Sequence, residues 1–133
     1  MKVHRSRTGF TLPELLVSTA IMGYALSVMV LSFFRNYALN ETSRNLTVAT
    51  SHVNYVLENI RNTSFSSIST NISNGNWNLS SSGITSLGLT PINTETITTT
   101  SSGTTLLTVT VTATWKDLQS RTQSKSMQTQ ISS

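Results

Sequence analysis

An uncharged apolar stretch near the amino terminus restricts this chain more than any other feature of its sequence. The residues from Leu15 to Phe34 read LLVSTAIMGYALSVMVLSFF, twenty positions without a charge. As a helix rising about 1.5 Å per residue, this stretch would span about 30 Å, the thickness of the hydrocarbon core of a bilayer. We therefore predict a single membrane-spanning helix. The competing interpretation is a buried helix of a soluble core, but such helices in small domains usually keep a polar face.

The charges before the apolar stretch predict its orientation. Lys2, Arg5 and Arg7 supply three of the nine basic residues within the first seven positions. Basic residues concentrate on the cytoplasmic side of a membrane helix, so everything after Arg35 is expected on the far side. A cleaved secretory signal has a shorter apolar core, about 7–15 residues, followed by small residues of the A-x-A type, and no such site follows here. An uncleaved signal anchor remains open.

One carboxylate interrupts the apolar sequence. Apolar residues already begin at Phe10, so Glu14 lies inside the apolar part of the chain. An ionised carboxylate in hydrocarbon costs roughly 2.5–3.5 kcal/mol. Glu14 could reach up to the lipid headgroups, or it could pair with a cation. A cut between Gly9 and Phe10 would create a positive amino terminus four residues before Glu14, on the same chain or a neighbouring one. Pro13 would then lie among the first four helical positions, whose N–H groups have no intrahelical acceptor.

Small residues recur every four positions along the apolar stretch, at Thr19, Gly23 and Ser27. They form one stripe of a helix, and such stripes allow two helix backbones to approach closely in lipid. The alternative is that small residues occur there by chance.

A second helical pattern continues from Arg35 to Arg61, where neither proline nor glycine occurs. Apolar residues repeat every seven positions with further apolar neighbours beside them, which predicts an amphipathic helix. The members of this stripe are Leu39, Leu46, Ala49, Val53, Val56, Leu57 and Ile60. We predict one helix from about Phe10 to about Asn62 that lays its apolar face on a sheet. Glu58 and Arg61 should pair at its surface, and His52 should be a surface or partly buried residue.

The remainder of the chain reads as a polar connection followed by strands. Residues 63–93 are rich in Ser and Asn, with turn signals at Asn74-Gly75-Asn76 and Ser82-Gly83. From Leu107 to Trp115 apolar residues alternate with threonine, the period of a half-buried strand. Segments 95–100 and 122–131 flank it, with hairpin turns expected at 101–103 and 117–120. We therefore predict an α+β fold, in which a long amino-terminal helix packs on a small three-stranded antiparallel β-meander.

Several kinds of chemistry lack residues in this sequence. There is no cysteine, which excludes disulfides and thiolate metal sites. A Ser-His-Asp site needs a base and an orienting acid, and past the first nine residues the chain has only His52 and Asp117 for these roles. We expect no enzymatic activity, no cofactor and no metal. Lys116, Arg121 and Lys125 cluster near the last hairpin, which indicates either an ordinary solvated hairpin or a surface that touches DNA.

The string Gly9-Phe10-Thr11-Leu12-Pro13-Glu14-Leu15-Leu16-Val17 follows a short basic leader and precedes the apolar run. It resembles the amino-terminal signature of type IV prepilins and type II secretion pseudopilins, and the likeness covers about the first 30 residues. The strand TVTVTATWKD is similar to minor pilins of the PilV-like and secretion I-type groups. Pro13 stands where an aliphatic residue is more usual, which favours a minor subunit.

This resemblance implies a set of expectations for processing and assembly. A prepilin peptidase would cut after Gly9 and methylate the amine of Phe10, and Glu14 would neutralise the amine of a neighbour. The protein would wait in the inner membrane, amino terminus cytoplasmic, contacting lipid and an inner-membrane assembly platform. It would then join other pilin or pseudopilin subunits in a periplasmic or extracellular filament.

The expected division of the chain follows from the same reasoning. Residues 1–9 form the leader, 10–35 the membrane and filament-core helix, and 36–62 the amphipathic half. Residues 63–133 form the connection and sheet, in one domain with 36–62. The alternative function is a membrane-anchored module that displays its β domain as an adhesin or DNA receptor.

Overall fold

The computed structural model describes residues 9–132, so the predicted leader lies outside the described residues except for Gly9. Its first element, α1, is a 50-residue helix at Leu12–Arg61, which confirms the predicted helix to within two residues at each end. The absence of proline and glycine from Arg35 to Arg61 allows this length. Internal contacts divide the chain into two compact units, one reaching to Leu39 and the other beginning at Asn40.

Three strands form one antiparallel sheet in the order β1-β2-β3. Their bounds are Thr96–Ser102 for β1, Leu106–Lys116 for β2 and Thr122–Ser132 for β3. In the register, Ala113 in β2 lies opposite Ile97 in β1 and Lys125 in β3. Alternating burial along β2 matches the alternation of apolar residues and threonine. The predicted meander is therefore confirmed.

The first hairpin turn depends on a glycine. Gly103 has φ +97°, in the region that residues with a Cβ rarely adopt. A Cβ at this position would also collide with the backbone carbonyl oxygen of Leu106. Both constraints select glycine where the chain reverses between β1 and β2.

The hydrophobic core lies between the carboxyl-terminal part of α1 and the apolar face of the sheet, which confirms the α+β prediction. Its members are buried: Ala49, Val53, Val56, Leu57, Ile60, Ile68, Ile84, Ile92, Ile97, Leu107, Val109, Val111, Ala113 and Trp115. The predicted stripe was too long, since Leu39 and Leu46 are exposed. Asn45 and His52 are buried on this helix instead. Periodicity identified the apolar positions of α1 but not where the layer that covers them ends.

The connection between α1 and the sheet is more regular than its composition indicated. It contains helix α2 at Phe65–Ser73 and helix α3 at Ser81–Ser86, each with one buried isoleucine. The turn predicted at Ser82-Gly83 is therefore wrong, because both residues lie inside α3. The Ser80 hydroxyl accepts a hydrogen bond from the Gly83 N–H and so caps this helix. The turn at Asn74-Gly75-Asn76 is confirmed.

Candidate functional site

The peptide bond between Gly9 and Phe10 lies just before α1. Both residues are exposed and neither is helical, and the Phe10 side chain is 74% exposed. A peptidase must approach the backbone directly, so a bond outside the helical hydrogen-bond ladder is accessible to it. The structure thus places the predicted cleavage position on exposed, non-helical chain.

Glu14 lies in the first turn of α1, where its N–H donates to the Thr11 carbonyl over 3.1 Å. Pro13 belongs to the same turn, so its missing N–H removes no intrahelical bond. The Glu14 side chain is exposed, and no residue of 9–132 bonds to its carboxylate. A carboxylate at a helix amino terminus interacts favourably with the helix dipole. Glu14 is therefore an exposed carboxylate in the first turn of α1, four residues after the predicted new amino terminus.

The serine and threonine hydroxyls in the apolar stretch of α1 form hydrogen bonds within the helix. The Ser18 hydroxyl donates to the Glu14 carbonyl over 2.8 Å, and the Ser32 hydroxyl to the Val28 carbonyl over 2.9 Å. Hydroxyls of Ser and Thr that bond to the preceding turn are paired within the helix. Such a surface can enter hydrocarbon at low cost, because unpaired polar groups are what makes that transfer expensive.

The stripe of small residues is open along its length. Thr19 donates to the Leu16 carbonyl over 3.0 Å, and Ser27 to the Gly23 carbonyl over 2.8 Å. No atom lies within 4 Å of the place where a Cβ would stand on Gly23. Thr19, Gly23 and Ser27 therefore offer a shallow, internally satisfied face against which another helix could pack closely.

By length and composition, α1 is capable of crossing a membrane, and none of its apolar window is buried. The exposed side chains include Leu15, Ile21, Met29, Phe33 and Phe34. Water is an unfavourable environment for this many neighbouring apolar side chains.

His52 is buried more deeply than the sequence predicted. It is 4% exposed, and its Nδ1 lies 2.9 Å and 3.1 Å from the two carboxylate oxygens of Glu95. Glu95 is completely buried and also accepts the Ile92 N–H over 2.8 Å. The pair joins the carboxyl-terminal part of α1 to the residue just before β1. Sequence reasoning missed it because the two residues lie 43 positions apart and no local pattern relates them.

The basic residues near the last hairpin are partly neutralised. Arg121 donates through Nε to Asp117 over 2.8 Å, and Asp117 also accepts the Gln119 and Arg121 N–H groups. Burial disfavours the charged carboxylate, but the hydrogen bonds from Arg121, Gln123 and Gln119 outweigh it and lower the pKa of Asp117 below 3.8. Lys116 is exposed and Lys125 half-buried. Asp117 thus organises the hairpin and offsets one of its three positive charges.

Among residues 9–132, no group of three or more His, Cys, Asp or Glu side chains is arranged to hold a metal ion. Comparisons with family models, with curated proteins and with solved structures find no match for the chain. Any function must therefore be argued from the residues themselves.

Proposed function

We propose that the protein is a minor subunit of a type IV pilus or of a type II secretion pseudopilus. One observation carries the proposal: the apolar stretch of α1 is exposed and no described residue covers it. Burying one large apolar side chain contributes about 1.5–3 kcal/mol. A run of such side chains needs lipid before assembly and other helices afterwards. The amino-terminal motif agrees with this use of the helix.

The processing step follows from the residues at the start of α1. A prepilin peptidase would cut between Gly9 and Phe10 and methylate the new amine of Phe10. The cut removes Lys2, Arg5 and Arg7, whose charges hold the amino terminus on the cytoplasmic face of the inner membrane. After it, a single positive amine stands near Glu14.

In the filament, Glu14 would pair with the Phe10 amine of a neighbouring subunit. Its carboxylate has no partner among the described residues and lies within an apolar sequence. An ion pair inside such surroundings is strong, because little water screens it. The stripe at Thr19, Gly23 and Ser27 would let the neighbouring helices approach closely enough for this contact.

The second unit would be the part that faces outward. The sheet surface opposite the core carries Thr98, Thr112 and Ser126 side by side, with Thr112 and Ser126 hydroxyls 2.8 Å apart. A surface rich in hydroxyl groups can remain exposed to water, because hydroxyls form hydrogen bonds with it. The inner-membrane assembly platform would then act on α1, and the second unit would remain folded on the far side of the membrane.

The experiment replaces Glu14 in cells that assemble the filament. Glu14→Ala should leave cleavage after Gly9 unchanged and reduce incorporation into sheared filaments at least tenfold, since an unpaired amine would stay in an apolar environment. Glu14→Gln keeps the size of the side chain and should behave like alanine. The control is Glu58→Ala on the same helix, where the acid is exposed and only weakly paired with Arg61 at 3.9 Å.

Two measurements are needed on each variant: the mass of the membrane-bound form and the amount in filaments. Normal incorporation of both Glu14 variants would remove the ion pair from the proposal. Equal losses for the Glu14 and Glu58 variants would also count against it, because the effect would then not depend on the amino-terminal carboxylate.

A further inference from the structure

A cleft of about 450 Å³ opens in the second unit, between the carboxyl-terminal half of α1 and the chain that leads into β1. Volumes of about 300–1,000 Å³ are typical of sites for small ligands. The side chains that bear on its chemistry are Arg44, Asn45, Ser51, His52, Val48 and Ile92. Nothing proposed above for the amino-terminal half of α1 uses this cleft.

Asn45 marks the cleft as a binding site. Its side chain is nine-tenths or more buried, yet no residue of 9–132 forms a hydrogen bond with its amide. The amide atoms are nevertheless open to solvent. Among the described residues, the only fully enclosed side-chain nitrogen or oxygen without a partner is Oε2 of Glu41, so the Asn45 amide is not enclosed. The accessible part of the Asn45 amide therefore lies in the cleft that it lines. The accessible amide atoms can hydrogen-bond to water in the cleft, and a ligand group that enters would take the place of that water.

His52 forms the wall beside Asn45 and is held in one orientation. Glu95 accepts from Nδ1 at 2.9 Å, while its other oxygen is fixed by the Ile92 N–H at 2.8 Å. In an imidazole whose Nδ1 carries the proton, Nε2 accepts rather than donates, so it suits an N–H group of the ligand and not its carboxylate. The imidazole is thus a rigid, pre-positioned group of the cleft.

The charges around the cleft favour an anion. Arg44 is exposed at its edge and forms no ion pair with any residue of the described chain. None of the described residues that line the cleft is acidic. The carboxylate of Glu95 is fully buried, with Oε1 2.9 Å from His52 Nδ1 and with Oε2 accepting the Ile92 N–H over 2.8 Å. A ligand therefore meets a guanidinium and an amide without meeting a negative charge.

We propose that this cleft binds a carboxylate side chain, Glu or Asp, presented by another polypeptide. The planar guanidinium of Arg44 matches the two oxygens of a carboxylate, and the Asn45 amide adds a donor. Val48 and Ile92 would contact the aliphatic part of the ligand's side chain. That apolar contact favours a protein carboxylate over free phosphate, which has no alkyl group. The inference concerns the second unit alone and holds whether or not α1 assembles into a filament.

The test uses the full chain in nonionic detergent micelles, observed by NMR at the Asn45 side-chain amide and the His52 imidazole. The probes are N-acetylglutamate N-methylamide, its uncharged glutamine counterpart, and inorganic phosphate. The glutamate probe should shift both signals and bind at least tenfold more tightly than the glutamine probe. Arg44→Gln should lower the affinity for the glutamate probe about tenfold, and Lys125→Gln, outside the cleft, should leave it unchanged.

Three results would overturn the proposal. Equal binding of the glutamate and glutamine probes would show that charge is not recognised. Unchanged affinity in Arg44→Gln, with tryptophan fluorescence showing that the variant is folded, would remove the guanidinium from the site. Binding of phosphate without binding of the glutamate probe would assign the cleft to a free anion rather than to a protein carboxylate.

Discussion

Replacing His52 with leucine should destabilise the second unit strongly. The substitution removes the donor that lies 2.9 Å and 3.1 Å from the carboxylate oxygens of Glu95. Glu95 is fully buried and would keep one donor, the Ile92 N–H. Removing one partner of a buried pair typically costs about 3–5 kcal/mol, and the remaining N–H favours the lower end, about 3 kcal/mol. With a urea slope of about 1.5 kcal/mol/M, the midpoint should fall by about 2 M.

A second substitution separates the loss of a pair from the loss of packing. Glu95→Gln alone keeps the size of the side chain and an acceptor for Ile92, so it should cost about 1 kcal/mol. In the His52→Leu background it should raise stability, because it replaces a poorly paired buried carboxylate with a neutral amide. The double variant should therefore be more stable than His52→Leu by about 1 kcal/mol or more.

The assay is urea unfolding of the full chain in nonionic detergent, followed by tryptophan fluorescence. Both tryptophans, Trp77 and Trp115, lie in the second unit, so the signal reports that unit alone. Asn54→Ala, an exposed change two residues away on α1, serves as the control and should stay within about 0.5 kcal/mol of the parent. A double variant that is less stable than His52→Leu would refute the reasoning.

The same assay checks three further predictions. Gly103→Ala should cost about 2 kcal/mol or more, because it combines φ +97° with a collision against a backbone carbonyl oxygen; Gly88→Ala, at φ +76° with no neighbour within 4 Å, should cost about 1 kcal/mol. Ile84→Ala should cost about 2–5 kcal/mol because the side chain is fully buried, whereas Leu118→Ala, 61% exposed, should change little. The pKa of Asp117 is lower in the folded state, so its stabilising contribution is present above its ordinary pKa of 3.8 and disappears as the pH falls through the lowered value. Asp117→Asn should therefore show a smaller loss of stability below pH 3.8 than the parent, as measured by urea midpoints across that range.

The regular elements of this fold were largely predictable from local sequence. The apolar stretch and the lack of proline and glycine from Arg35 to Arg61 indicated the extent of α1, and the alternation from Leu107 to Trp115 indicated β2 and the face that it buries. Helices α2 and α3 were missed because serine and asparagine have weak helix propensity and usually indicate turns. A signal was present in α2, where Phe65, Ile68 and Ile72 follow helical spacing.

The long-range polar contacts could not be predicted in the same way. His52 stands beside an apolar stripe and was expected to be a surface or partly buried residue, whereas Glu95 was only assigned to the start of a flanking segment. Their pairing depends on how α1 lies on the sheet, which no local pattern specifies. The same holds for Asn45, which lines a cleft together with Ile92. The predicted cleavage motif needs no long-range information, because Gly9, Phe10 and Glu14 are close in sequence.

The amino terminus of the protein isolated from the cells that make it tests the central claim most directly. Intact-mass and peptide mass spectrometry of the membrane-bound and filament-bound material would define it. We predict a chain that starts at Phe10 and carries one methyl group on its amine. Material in stable filaments that still begins at Met1, or a terminus beyond residue 30, would contradict the account.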